Sequence, residues 1–229
     1  MSKKKIKVKV KKRKLSIKKI LIFLFVLLIS ILVIYFISNL PIKNIYIVGN
    51  NILSDKEIIE LSGLSDYPKF LSITSGNIKK KIKDNIYVKE VKVDKKINGK
   101  VYIYITEKKI LCIYRNKLLL EDANLIENSY DMTSYPILLS DVSKIQEKFI
   151  SSFSKIEDAI LLKISEIEYT PNDVDNERFT LKMNDGNLIY ITLNKIEKIN
   201  KYNSIYSSLE EKKGIIYLDS GDYVEVKEK

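Results

Sequence analysis

Residues 45–64 read IYIVGNNILSDKEIIELSGL. Ile45 and Ile47 alternate with Tyr46 and Val48, the two-residue period of a strand with one face on a core. Gly49-Asn50-Asn51 interrupts that period with turn residues. Ser54 stands three residues before Glu57, the spacing at which a hydroxyl and a carboxylate each satisfy an orphan amide at a helix start. Leu53 and Ile58 flank this cap at the two positions of a hydrophobic staple, and Gly63 supplies the left-handed residue that ends a helix. One short stretch therefore encodes a strand, a turn and a capped helix.

The same logic extends downstream. Ile78 and Ile82 lie four residues apart and predict a second helix over Thr74–Asp84. Tyr87–Lys95 and Lys100–Glu107 alternate as strands around Asn98-Gly99, the strongest short-range hairpin signal. The order is β-α-α-β-β. Beyond it, ILCIY and KLLLE flank Arg115-Asn116, and FTLKMN and NLIYITL flank Asp185-Gly186, so two further hairpins are expected. YPILLS and Ile164–Tyr169 read as strands, with the polar loop PNDVDNE after the second. Helices are expected over Ser143–Ile156 and along Ile196, Ile199, Asn203, Tyr206 and Leu209, the latter ending at Lys213-Gly214. IIYLD and YVEVK around Ser220-Gly221-Asp222 close the chain.

Upstream, Ile20–Ile37 is an uncharged apolar run that Ser38, Asn39 and Leu40 extend to the length a bilayer requires. A signal peptide has a shorter apolar region and a small-residue cleavage site, whereas the first alanine here is Ala123, so a retained span is expected. The chain carries 40 Lys+Arg against 29 Asp+Glu, and residues 1–19 hold 11 of the basic residues and no acid. The other residues balance at 29 against 29, so the basic excess belongs to a tail and not to a folded nucleic-acid surface. The positive-inside rule places residues 1–19 in the cytoplasm and residues 41–229 outside, a single-pass N-in anchor. The tail itself serves topology, contact with anionic lipid headgroups, or, as a rival, nucleic-acid binding.

Composition excludes whole classes of chemistry. There is no His, which removes Ser-His-Asp and Cys-His nucleophiles and histidine metal sites. Cys112 is the lone cysteine, leaving no disulfide, thiolate zinc site or CxxC pair, and it sits among apolar neighbours as a buried hydrophobe. No Gly-rich phosphate motif occurs. Asp173, Asp175 and Glu177 lack calcium-loop spacing. No catalytic residue, metal or cofactor is expected, and a binding or structural role remains.

Val48-Gly49-Asn50, Ser54, Glu57 and Gly63-Leu64, in a β-α-α-β-β unit just outside a lone anchor, resemble a POTRA domain. With the lysine-rich tail, one span, a second β-rich domain and a near-terminal GIIYLDSG, the whole chain is similar to the FtsQ/DivIB cell-division family. The resemblance implies an α+β architecture: tail 1–19, transmembrane helix 20–40, POTRA-like domain 41–108 and a β-rich domain 109–229. It implies a non-enzymatic divisome scaffold at the septal membrane, joined to small bitopic proteins of the FtsL and FtsB/DivIC types. Tyr217 and Asp219 are carried over from the family's near-terminal Tyr-x-Asp strand, while Ser220-Gly221 departs from the usual Leu-Arg-like pair. Members often have a longer terminal tail; this sequence stops at Lys229, and no tail function is carried over.

The expected partner surface is Gly214–Lys227. If this segment ends the sheet, its unpaired N–H and C=O groups invite an added strand, with Ile215, Ile216, Tyr217, Leu218, Asp219, Tyr223 and Val224 giving selectivity. Read otherwise, it is a strand pair whose apolar residues fill the core. The POTRA-like unit is a second binding edge or a spacer. The alternative function is that of a POTRA-type chaperone or transport accessory binding extended polypeptide broadly.

Overall fold

A computed structural model describes residues 16–209 and 212–226. Of residues 1–19, to which the lipid contact is assigned, residues 1–15 lie outside the described residues, as does Lys227 of the expected partner segment. The chain divides into two compact units, residues 1–107 and 108–229.

The first unit opens with α1 (Ile17–Asn39), which has a mean hydropathy of 3.4 over its most apolar window and no buried residue. Its 23 residues span about 35 Å, enough for a hydrocarbon core of about 30 Å. Ser30 and Ser38 return their hydroxyls to the carbonyls of Val26 and Ile34 at 2.8 and 2.7 Å, which removes the cost of a free polar group in an apolar setting.

β1 (Asn44–Val48) leads into α2 (Asp55–Ser62), where the capping box forms as the sequence predicts. The Glu57 amide donates to Ser54 Oγ at 3.3 Å, and the Ser54 amide donates to Glu57 Oε2 at 2.8 Å. Asn50 Nδ2 ties the turn to the Leu53 carbonyl and to Asp55 Oδ1, both at 2.9 Å. Gly63 ends the helix at φ 74°. Gly49 has a second reason to be glycine, because a Cβ there would lie 2.2 Å from the Ile105 carbonyl oxygen.

α3 (Ser75–Lys83) is capped by Thr74 and buries Ile78 and Ile82. β2 (Val88–Lys96) and β3 (Lys100–Glu107) form the Asn-Gly hairpin, with Lys96 opposite Lys100 and Gly99 at φ 83°. β1 joins β3 in parallel, giving the sheet order β1-β3-β2. Glu107, the last residue of β3, accepts the amides of Asn51, Ile52 and Leu53 at 2.8, 2.7 and 2.8 Å. The turn after β1 is thereby fastened to the adjacent end of β3, a link that no local pattern announced.

The second unit is built on one nine-stranded sheet. β4 (Ile110–Tyr114) and β5 (Lys117–Leu120) turn through Arg115 and Asn116, both at positive φ (49° and 63°), the geometry of a tight hairpin turn. β6 (Leu125–Glu127) and β7 (Ile137–Leu138) follow. The helix expected over Ser143–Ile156 is broken. A 3-10 turn at Ser143–Ile145 leads into α4 (Gln146–Phe153), the chain leaves helix before Ile156, and α5 (Asp158–Leu161) is a single turn. Ile156 is still buried, because the core and not the helical period claims it.

β8 (Ile164–Tyr169), β9 (Arg178–Met183) and β10 (Leu188–Thr192) form a meander. Phe149 and Phe153 of α4 pack on Phe179 of β9, with ring centroids 5.6 and 5.7 Å away. The next helix also differs from expectation: Leu193–Lys201 is 3-10, and only then does α6 (Tyr202–Ser208) begin. Leu193, Ile196, Ile199 and Tyr202 are all buried, and their spacing of three places them on one row in a 3-10 helix. Gly214 does not end this helix; it starts β11 (Gly214–Tyr217), which pairs with β12 (Tyr223–Val226). The sheet order is β12-β11-β10-β9-β8-β7-β4-β5-β6.

Candidate functional site

β12 stands at the end of this sheet, and among the described residues no strand covers its outer side. β11 reaches its place by a parallel pairing with β10, in which Leu188, Ile189 and Tyr190 face Ile215, Ile216 and Tyr217. Such a pairing leaves no turn signature, because the connection runs through a helix. A buried polar group sets the start of β11: the Gly214 amide donates to Asn187 Oδ1 at 2.8 Å. Asn187 Nδ2 donates to Asp185 Oδ1 at 3.0 Å and to the Tyr202 hydroxyl at 2.9 Å, and that hydroxyl donates to Asp185 Oδ2 at 2.5 Å. Burial, with the Asp185 carboxylate beside it, pushes the Tyr202 phenol well above its ordinary value. Gly214 allows close approach of β12, since a Cβ there would lie 2.7 Å from the Glu225 carbonyl oxygen.

The seven candidate residues share this hairpin and divide between its faces. Ile216 and Leu218 are buried in the core; Ile215, Tyr217, Asp219 and Val224 are half-buried; Tyr223 is 46% exposed at the edge. On the outward face an aromatic row crosses the strands in register. The Arg178 guanidinium lies 3.9 Å from the Tyr190 ring centre, Tyr190 and Tyr217 are 5.3 Å apart, and Tyr217 stacks on Tyr223 at 4.5 Å and 13°. Stacked rings hold their rotamers and leave the last ring, Tyr223, as a fixed platform. The Tyr217 hydroxyl donates to Glu225 Oε2 at 3.1 Å, and burial together with that carboxylate raises its pKa.

The loop between β11 and β12 is held by charge. Arg178 Nε bonds Asp219 Oδ2 at 2.8 Å, both side chains being mostly covered. Burial alone would raise the Asp219 carboxyl, but the Arg178 and Ser220 hydrogen bonds outweigh it and hold the group below the usual carboxylate value. Lys195 Nζ donates to the Asp219 carbonyl at 2.6 Å, and Lys198 bonds Asp222 at 2.5 Å. On the other face, a groove of about 370 Å³ runs between Ile205, Ile216, Leu218 and Val224, with Lys198 and Lys201 on its rim. Sequence reasoning missed Arg178, Tyr190, Asp185, Asn187 and Tyr202. Asp185-Gly186 reads as a turn, yet nothing local links it to the terminal strand.

Cys112 is fully buried, and burial pushes its thiol up to about 12, which keeps it protonated. Among the described residues no group of three or more His, Cys, Asp or Glu is placed to hold a metal ion.

Two family models match the chain: the FtsQ-type POTRA domain over residues 40–108, and the C-terminal domain of cell division protein FtsQ/DivIB over residues 113–221. The cell division protein DivIB of Listeria monocytogenes is 30% identical over 217 residues, covering 89% of this chain and 79% of its own length. DivIB of Bacillus subtilis is 29% identical over 219 residues, covering 91% and 83%. The solved major extracytoplasmic domain of DivIB from Geobacillus stearothermophilus is 21% identical, with a TM-score of 0.37, and covers 46% of this chain and 96% of its own. With one apolar helix long enough to span a bilayer, a POTRA unit and a β-rich unit in this order, the chain belongs to the FtsQ/DivIB family of cell division proteins.

Proposed function

We propose that this chain is a non-enzymatic scaffold of the septal division complex. It is anchored by α1 with its N-terminus in the cytoplasm and captures a small bitopic partner of the FtsL or FtsB/DivIC type at the edge of β12. The observation that carries this reading is the uncovered edge itself, with Tyr223 and Val226 exposed on it. An extended partner segment adds its own backbone hydrogen bonds to such an edge and takes its register from the side chains that alternate along it. Ile215, Tyr217, Tyr223 and Val224 are the side chains that act in recognition; Ile216, Leu218 and Asp219 support them from behind. The POTRA motif residues Val48, Gly49, Asn50, Ser54, Glu57 and Gly63 are structural in this reading.

The test uses full-length protein in nanodiscs and the extracytoplasmic segment of a DivIC-type partner, with binding followed by calorimetry. Tyr223→Lys places a mobile cation on the edge and is expected to abolish measurable binding, with the thermal unfolding of the protein unchanged. Unchanged affinity would refute the edge as the docking site. Equal binding of unrelated unfolded polypeptides would favour the transport-accessory alternative.

A further inference from the structure

One loop of the first unit is bonded to the end of α1, and the tip of the β2–β3 hairpin is bonded to the short segment between α1 and β1. The Phe70 amide donates to the Leu40 carbonyl at 2.7 Å, the Ile42 amide to the Pro68 carbonyl at 3.1 Å, and Lys69 Nζ to Asn39 Oδ1 at 2.9 Å, while Pro41 and Lys69 form an antiparallel bridge. Gly99, at the tip of the β2–β3 hairpin, accepts the amides of Lys43 and Asn44 at 2.7 and 3.4 Å. Lys95 locks the first loop to the sheet: its ammonium donates to the carbonyls of Phe70 and Ile73 and lies 4.3 Å from the Phe70 ring centre. The first loop is thereby tied to the helix end and the hairpin tip to the start of β1.

These two loops expose apolar side chains that the fold does not use. Tyr67 is 49% exposed, Leu71 50% and Ile97 67%. Lys43, Lys69 and Lys96 are exposed around them, with Asp66 the acidic residue in the first loop. Tyr35 and Phe36 lie in the last turns of α1, where an aromatic belt marks the boundary between acyl chains and headgroups, and Ser38 and Asn39 follow as the first polar residues. Segments bonded to residues 39–44 therefore start within about 17 Å of the last helical residue, at or just outside headgroup depth.

We propose that the anchor-proximal end of the POTRA unit is a membrane-surface docking face. Tyr67, Leu71 and Ile97 sit in the headgroup–acyl boundary, and Lys43, Lys69 and Lys96 meet lipid phosphates. The proposal rests on α1 spanning the bilayer. Its consequence is a POTRA unit held in a set orientation on the membrane instead of tumbling on a tether.

The sequence contains no Trp, so one substitution makes a unique fluorescent reporter. Full-length Tyr67→Trp and Ile97→Trp proteins would be reconstituted in phosphatidylcholine–phosphatidylglycerol vesicles with chains brominated near the headgroup. Ile86→Trp is the control: Ile86 is 46% exposed and precedes the far end of β2, about 30 Å along the sheet from Ile97. Phe36→Trp reports insertion of α1. The expected result is an emission loss of about twofold at positions 36, 67 and 97, and none at 86, as for rings in the aromatic belt. Quenching at 36 with none at 67 and 97 would overturn the docking face and leave the anchor intact. No quenching at 36 would overturn the anchor and the docking face with it.

Discussion

The two sheets carry tyrosines on an outward face and use them differently. In the first unit Tyr46 stacks on Tyr102 at 4.9 Å and 14°, with lysine ammonium groups over the aromatic surface: Lys100 lies 6.0 Å from Tyr46 and Lys92 5.9 Å from Tyr104. That row runs from the central strand β3 to Tyr46 on β1, itself an end strand of its sheet. In the second unit the row begins at a fixed charge pair, Arg178–Asp219, and runs out to a bare edge at Tyr223. Edge residues differ as well: β2 places Lys89, Lys92 and Lys96 along its exposed side, the charged pattern that discourages strand addition, whereas β12 has Tyr223, Val224 and Val226 around one carboxylate. Both rows reach an end strand, and what sets the second apart is the mostly covered Arg178–Asp219 pair that anchors it.

The largest expected effect is a break of the first unit alone. Gly49→Ala sets a Cβ against the Ile105 carbonyl at positive φ and is expected to cost on the order of 3 kcal/mol, read as an early denaturant transition of residues 1–107 while the second unit melts as before. Glu107→Ala removes the acceptor of three amides and should cost about 2 kcal/mol in the same transition. A single transition shifted for the whole chain in either variant would show that the two sheets do not unfold independently.

The next effect sharpens the contrast through pH. The Asp219 carboxyl is held below its ordinary value in the folded state, so its contribution is complete above the unfolded pKa and disappears as pH falls through the lower, folded one. Asp219→Asn should lower the stability of the second unit by about 1.5 kcal/mol at neutral pH and flatten its acid dependence. Melting curves at neutral and acid pH check both. The smallest stability change is expected from Gly214→Ala, about 1 kcal/mol, because β12 can be displaced at the edge without opening the core. Its effect on partner binding should nevertheless equal that of Tyr223→Lys; retained affinity would separate the edge from the hairpin's position.

Legibility in the sequence followed the distance between interacting residues. Ser54 with Glu57, Asn98-Gly99 and Asp185-Gly186 act within a few residues, so their cap and turns could be read directly. The helix read along Ile196, Ile199, Asn203, Tyr206 and Leu209 differs in type over its first part, because the mixed three- and four-residue steps of that set do not reveal the row that repeats every three from Leu193 to Tyr202. The candidate segment was legible as a strand pair, but not which of its side chains face solvent. Ile216 and Leu218 look as available as Ile215 and Tyr217 until the helical layer covers one face.

By itself the sequence determined the apolar span, the absence of histidine chemistry and the local β-α-α-β-β order, since hydropathy, composition and capping act through single residues or near neighbours. Tertiary structure alone decided that β11 joins β10 in parallel, that Asn187 holds Gly214, that Glu107 gathers three amides and that β12 is left at the edge. Each of these joins residues whose separation along the chain is bridged by loop closure and core packing, which no local pattern records.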